Sequence, residues 1–240
     1  MRIKTGIEGL DNMLSGGLLK GRNILLSGPC GSGKSILSMQ FLYNGVMVFN
    51  EPGLYVTLEE TKEKFYQDMA NFGMDLTHAE KTGRFILIGG PIAGLKKYMT
   101  KVDASIKNIV EEIEEIVKEK RIKRVVIDSI NLLTMLLKDD DERRKALAMI
   151  ANSLSALGCT AILISETKEG SMDLSRYGME EFVVDGVIVL YLVRQGSKFS
   201  PGIAIRKMRG TKHEKEIKYY EITDQGIFVH PEETLFTDIK

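Results

Sequence analysis

The sequence predicts an α/β protein: a mostly parallel central sheet flanked by helices, with extra antiparallel strands at its C-terminal end. Three observations predict it. Strand-like and helix-like segments alternate through the first two-thirds of the chain. A glycine-rich turn joins the first apolar strand to the first long helix. After Gly186 the texture changes to strand-like runs with no long helix between them.

The elements follow in order. Residues 23–27, Asn-Ile-Leu-Leu-Ser, form a short apolar run between Gly21 and Gly28, as a buried strand does. A helix runs from Gly33 to about Val48. Residues 53–58 read as a second strand, introduced by Pro52-Gly53. Thr61 is placed to cap the next helix, which ends near Phe72-Gly73. Residues 85–88 are a strand closed by Gly89-Gly90-Pro91, and 89–101 read as a surface insertion. Over 102–120, Ile106, Ile109, Val110, Ile113, Ile116 and Val117 recur at helical spacing, and the Glu and Lys between them make a solvated face. Residues 124–128 are a strand ending in the carboxylate of Asp128. A helix over 139–157 starts with acids, which suit its macrodipole, and carries Leu147, Ile150, Leu154 and Leu157 as its apolar stripe. Strands are expected at 160–165, 187–193, 202–208, 217–222 and 227–229. No repeat, low-complexity tract or linker interrupts the series, so one domain over residues 1–240 is expected.

Composition narrows the function classes. Lys+Arg and Asp+Glu balance at 33 each, which lacks the basic excess of a protein that coats DNA. The two cysteines, Cys30 and Cys159, are too far apart for a zinc motif and point to a reducing compartment. The N-terminal MRIKTGIEGL has no apolar signal core, and the longest apolar run, 187–193, is far short of a membrane span. A cytoplasmic protein without a membrane partner is expected.

Residues 28–35, Gly-Pro-Cys-Gly-Ser-Gly-Lys-Ser, fit the phosphate-binding pattern G-x-x-x-x-G-K-[ST] at every fixed position. Such a loop turns backbone N–H groups inward as a nest for oxyanions, and the following helix points its positive end at the same site. Lys34 is expected to reach the β- and γ-phosphates of ATP, and the Ser35 hydroxyl to ligate Mg²⁺. The binding set is Gly28, Pro29, Cys30, Gly31, Ser32, Gly33, Lys34, Ser35 and Ile36, with Cys30 read as a small filler rather than a redox centre. Asp128, at a strand end, is the candidate for the Mg²⁺ side, assisted by Ser129. Glu59 and Glu60 end the second strand, where a carboxylate can polarise an attacking water; the same two acids also suit the start of the next helix. Glu59 is the candidate base and Glu60 its support.

Six ordered motifs carry a resemblance. They are T-G-I-E-G-L-D (5–11), the phosphate loop, T-L-E-E (57–60), V-V-I-D-S (125–129), R-K-M-R-G-T-K-H (206–213) and I-T-D-Q-G-I (222–227). Together they resemble the RecA-like ATPase domain of the KaiC family, and most of all its single-domain archaeal members, over about residues 5–231. The resemblance implies a RecA-like P-loop NTPase fold and a homohexameric ring with ATP held between neighbours. It implies that Lys207, Met208 and Arg209 of one subunit approach the nucleotide of the next, the two cations reaching its γ-phosphate. By the same matching, Thr211, His213, Thr223 and Asp224 would contact base or ribose from the neighbour, and Asn71 would line the nucleotide on the subunit that owns the loop. The chain departs from the family's two-domain clock proteins. It has one such domain, and Glu181-Phe182 stands where their second domain carries neighbouring phosphorylated Ser and Thr, so autokinase and timekeeping roles are not expected.

Two functions of different class follow. One is a ring-forming ATPase, slow in turnover, whose nucleotide state regulates a protein partner. The other is a DNA-binding recombinase paralogue of the RadA type. Residues 166–181 hold Glu166, Glu169, Asp173, Glu180 and Glu181 against Lys168 and Arg176, an acidic balance that disfavours DNA there. Lys96, Lys97 and Lys101 form a small basic cluster elsewhere. A small-molecule kinase fits less well, because the edge strands and the Glu59-Glu60 pair suit a RecA-like architecture.

Overall fold

The computed structural model describes residues 1–90, 102–135, 137–171 and 173–235. The predicted insertion at 89–101, with Lys96, Lys97 and Lys101, lies outside them apart from its first two glycines.

A nine-stranded sheet runs through the described residues. Its strands are β3 (Asn23–Gly28), β4 (Gly53–Thr57), β5 (Phe85–Gly89), β6 (Arg124–Asp128), β7 (Thr160–Glu166), β8 (Gly186–Gln195), β9 (Lys198–Met208), β10 (Lys218–Thr223) and β11 (Gly226–Thr234). The spatial order is β11-β10-β9-β8-β3-β7-β6-β4-β5. From β5 to β8 every pairing is parallel, and from β8 to β11 every pairing is antiparallel. The predicted fold class is therefore the observed one. A small hairpin, β1 (Arg2–Ile3) with β2 (Leu18–Leu19), stands apart from this sheet.

Both faces of the parallel half are covered, which is why its strands read as continuous apolar runs rather than alternating ones. On β3 the side chains divide by period two: Ile24 and Leu26 enter one core, Leu25 the other. The first core is roofed by α1 (Leu10–Met13), α2 (Lys34–Met47), α3 (Lys62–Ala70) and α4 (Leu76–Lys81). The second is roofed by α5 (Val102–Lys120), α6 (Ile130–Thr134) and α7 (Asp140–Ala156). Ile106, Val110, Ile113 and Val117 form the buried stripe of α5, as their spacing predicts, with Ile109 and Ile116 at its margin.

Thr61 caps its helix as its sequence signal predicts, and Asp139, expected inside the helix start as an acid suited to the macrodipole, is itself the cap. The Thr61 hydroxyl accepts from Lys64 N–H, and the Asp139 carboxylate accepts from Glu142 N–H at 2.9 Å. The elements absent from the sequence reading are β1, β2, α1, α4, α6 and α8 (Glu180–Val183), each of two to six residues. Runs that short cannot display a helical or strand period, and they are held by packing rather than propensity.

Candidate functional site

The C-terminal ends of β3, β4, β6 and β7 meet on one side of the sheet, because all four run parallel. In such sheets ligands bind beyond those ends. The loop after β3 is drawn tight by its own polar groups. Pro29 O accepts from the Ser32 hydroxyl at 2.8 Å and from Lys34 Nζ at 2.9 Å. Gly28 O accepts from Thr167 N–H at 3.0 Å. Gly33 has φ 85°, a left-handed conformation that glycine adopts without strain, and it turns the chain into α2. Behind the loop the buried Tyr220 hydroxyl donates to Ser32 O at 2.6 Å, so an edge strand braces the turn.

Cys30, Gly31, Gly33, Lys34, Ser35 and Ile36 line a cavity of about 270 Å³ together with Glu59, Asp128, Glu166 and Ile222. Lys34 is 7% exposed. Burial pushes its ammonium pKa down, while the charges of Glu166 and Asp128 above all push it back up. This is one cation among carboxylates. Cys30 is exposed and free of any disulfide, whereas Cys159 is buried, with its thiol pushed up to about 11 by desolvation.

Asp128 ends β6 opposite Thr57 of β4. Its Oδ2 accepts from the Ser35 hydroxyl at 2.8 Å and from the Tyr55 hydroxyl at 2.6 Å. Burial pushes the carboxyl pKa up; the bonds from Tyr55 and Ser35 and the charge of Lys34 oppose it. Among the described residues no cluster of three His, Cys, Asp or Glu side chains could cage a metal. One hydroxyl beside one carboxylate is the donor set that suits Mg²⁺, which takes few protein oxygens and completes its shell with water and phosphate.

The Glu59-Glu60 pair divides. Glu59 lines both this cavity and a neighbouring one of about 320 Å³. Its carboxyl pKa is raised first by desolvation and then by the charge of Asp128, against a hydrogen bond from the Ser129 hydroxyl. Glu60 lines only the second of these cavities and is tied to Lys64 at 3.1 Å, one turn into α3. Each of the two readings at this position thus finds a residue: Glu59 faces the crevice, and Glu60 serves the helix start as well. Asn71 lines the second cavity with Phe65, Asp68, Met69 and Phe72.

The residues expected from a neighbour do not act alike. Lys207, Met208, Arg209, Thr211 and His213 line neither cavity. Lys207 Nζ donates to Glu181 O at 2.7 Å and Val184 O at 2.6 Å, closing the C-terminal turn of α8 within its own subunit. Burial and the nearby Arg209 charge push its pKa down. The Met208 side chain is in the core against Gly186, which leaves only its backbone for a ligand. Arg209 is exposed. Thr211 accepts from the Arg2 guanidinium, and His213 Nδ1 is buried without a partner among the described residues.

Thr223 and Asp224 line neither cavity either. They form the β10–β11 turn, Asp224 O lies against Gly73 after α3, and the adjacent Ile222 packs on Gly33 of the phosphate loop. Ile222, just before this turn, thus reaches the cavity of its own subunit. The antiparallel edge folds over α2, where Gln40 exchanges two hydrogen bonds with Ile227 of β11, and this carries the turn to the loop.

Sequence reasoning passed over three site residues. Glu166 ends β7 in the cavity wall, and its strand-terminal position was the same signal that marked Asp128. Tyr55 and Tyr220 sit inside strands as ordinary apolar residues do, and nothing in the sequence shows where their hydroxyls end. The acids of 166–181 are also more occupied than their count suggests. Glu180 is buried and accepts from the N–H groups of Tyr177 and Met179, so its carboxylate is not part of the exposed surface.

A family model described as "ATPase: KaiC" matches residues 3–234. A UPF0273 protein of Pyrococcus furiosus is 35% identical, the match covering 98% of this chain and 96% of that protein. The circadian clock oscillator protein KaiC of Synechococcus elongatus is 36% identical over 96% of this chain, which spans only 44% of that longer protein. The solved structure of a KaiC-like protein from Pyrococcus horikoshii superimposes with a TM-score of 0.84 at 37% identity, covering 96% of this chain and 99% of that one. With the phosphate loop, the Ser35–Asp128 pair and the parallel crevice already in place, these matches settle the assignment: the chain belongs to the KaiC family of RecA-like ATPases.

Proposed function

We propose that this chain is a single-domain, Mg²⁺-dependent ATPase of the cytoplasm, active between subunits of a hexameric ring and serving as an ATP-dependent regulatory switch for a protein partner. The observation that carries the reading is the convergence on one cavity of Lys34 and Ser35 at the start of α2, Glu59 just after β4 and Asp128 at the end of β6.

The loop's N–H groups and Lys34 hold the β- and γ-phosphates and fix the nucleotide for in-line attack. Ser35 and Asp128 would hold Mg²⁺, which when bound offsets charge on the phosphate oxygens. Glu59 orients the attacking water and takes its proton, a contribution of roughly 10²–10⁴ in rate. Its raised pKa brings it nearer to the working pH of a base. Asn71 lines the nucleotide on the subunit that owns the loop, and Thr211, His213, Thr223 and Asp224 contact its base or ribose from the neighbour. Arg209 is offered to the next subunit's γ-phosphate, and Lys207 joins it once released from the carbonyls of Glu181 and Val184. The RadA-like alternative is not favoured, since residues 166–181 present no basic excess.

The test is ATP hydrolysis per subunit with Mg²⁺ across a wide range of protein concentration, with a mass measurement at each end. A steep rise to a plateau that tracks assembly supports a shared site. Hydrolysis by a species proven monomeric would refute it.

A further inference from the structure

We propose that Tyr55 is a positioning residue for the metal-side carboxylate: its hydroxyl, together with that of Ser35, holds Asp128 by Oδ2 and leaves Oδ1 to the nucleotide cavity. The proposal rests on reading Asp128 and Ser35 as the Mg²⁺ pair.

Tyr55 is in the middle of β4 and fully buried. Its ring packs on Phe65 of α3, with centroids 4.8 Å apart, and Phe65 lines the cavity that holds Asn71. The ring is thereby fixed, and its hydroxyl reaches across the strand pair to Asp128 Oδ2 at 2.6 Å. That length belongs to a charge-assisted O–H···O⁻ bond, which is stronger than a bond between neutral groups. The Ser35 hydroxyl comes to the same oxygen at 2.8 Å. Two donors on one oxygen pin the rotation of the carboxylate. Among the described residues none donates to Oδ1, and Asp128 lines both cavities.

The arrangement also orients Ser35. Because its proton points at Asp128, the lone pairs of its oxygen are turned elsewhere, available to a cation. Removing the tyrosine hydroxyl leaves Ser35 alone on Oδ2 and frees the carboxylate to turn. Groups that orient a metal ligand in this way carry about 10–100-fold of metal affinity.

The experiment compares wild type, Tyr55→Phe and Asp128→Asn by titrating ADP at a series of Mg²⁺ concentrations and again in EDTA, with melting temperatures alongside. Tyr55→Phe keeps the ring, so the packing on Phe65 survives. The expected result is a rise of about tenfold in half-saturating Mg²⁺, with ADP affinity in EDTA unchanged. If Tyr55→Phe weakens ADP equally in EDTA, the hydroxyl supports the fold alone and the proposal is overturned. If Asp128→Asn shifts the Mg²⁺ dependence while Tyr55→Phe does not, the site reading stands and the role of Tyr55 falls. If Asp128→Asn shifts nothing, the site reading falls and takes the proposal with it.

Discussion

The parallel half of the sheet and its antiparallel edge spend their polar groups in opposite ways. At the ends of β3, β4, β6 and β7 polar side chains meet one another and an open cavity: Lys34, Ser35, Asp128, Glu59 and Glu166. Along the edge they are absorbed into their own subunit. Lys207 holds two carbonyls of the α8 turn, Lys218 holds Glu216 and Thr234, and Arg2, in the hairpin beside this edge, holds Leu14 O and Gly17 O. The cause is topological. Parallel strands deliver all their C-terminal ends to one side, so their loops converge; antiparallel strands alternate ends and disperse theirs. The first region gathers its cation, hydroxyl and carboxylates from one chain. The second braces the phosphate loop through Tyr220 and Ile222 and exposes Arg209 beyond its own cavities.

The sharpest way to break this contrast is Arg209→Ala. If the edge completes a neighbour's site, hydrolysis falls on the order of 10³-fold, and mixing with Lys34→Ala subunits partly restores it. Mixed rings contain an intact loop facing an intact Arg209; proven co-assembly without recovered phosphate release would place Arg209 outside the reaction. Next in size is Glu59→Gln, expected to lower turnover about 10²-fold or more while nucleotide still binds in equilibrium titrations. Undiminished turnover would remove Glu59 from the mechanism.

The same carboxylate predicts a pH dependence. A raised pKa keeps Glu59 protonated, and so unable to accept a proton, to a higher pH than an ordinary glutamate near 4.3. Turnover of the wild type should therefore begin to fall on acidification while still above that range, and the limb should vanish in the residual activity of Glu59→Gln.

Two stability measurements test how the edge is fastened. Gly9 has φ 78°, and a Cβ there would lie 1.9 Å from Val229 O. Gly9→Ala should cost about 2–4 kcal/mol in denaturant unfolding, because it combines a strained backbone with a collision against β11. Tyr220→Phe should cost about 1–2 kcal/mol by leaving Ser32 O without its donor, and it should weaken nucleotide binding more than a substitution of similar cost in α5. Equal effects on binding would mean the edge does not brace the loop.

The fold was largely legible. Strands β3, β4, β6 and β7 show as apolar runs because both their faces are buried. The helices α2, α3, α5 and α7 show because each is long enough to repeat its buried face, or carries a capping residue, or both. The short pieces were not legible, α6 and α8 among them, since four or five residues cannot carry a period. In the site, Lys34, Ser35 and Asp128 follow from local rules: a loop pattern and a carboxylate at a strand end. The sequence already marks Glu59 as the base ahead of Glu60, and the structure sets it in the wall of both cavities while Glu60 lines one and pairs with Lys64. The packing of Ile222 on Gly33 was not legible, because distance along the chain says nothing of how β10 and β11 curl over α2.

By itself, then, the sequence determined the order of elements, the phosphate loop and the acids beside it, because each is written in a window of a few residues whose backbone preferences and burial are local. Only the tertiary structure decided that Ile222 packs on the phosphate loop, that Lys207 closes α8, and that the Tyr55 hydroxyl ends on Asp128. Those are contacts between residues well separated along the chain, and their distances depend on sheet order and curvature, which no local pattern encodes.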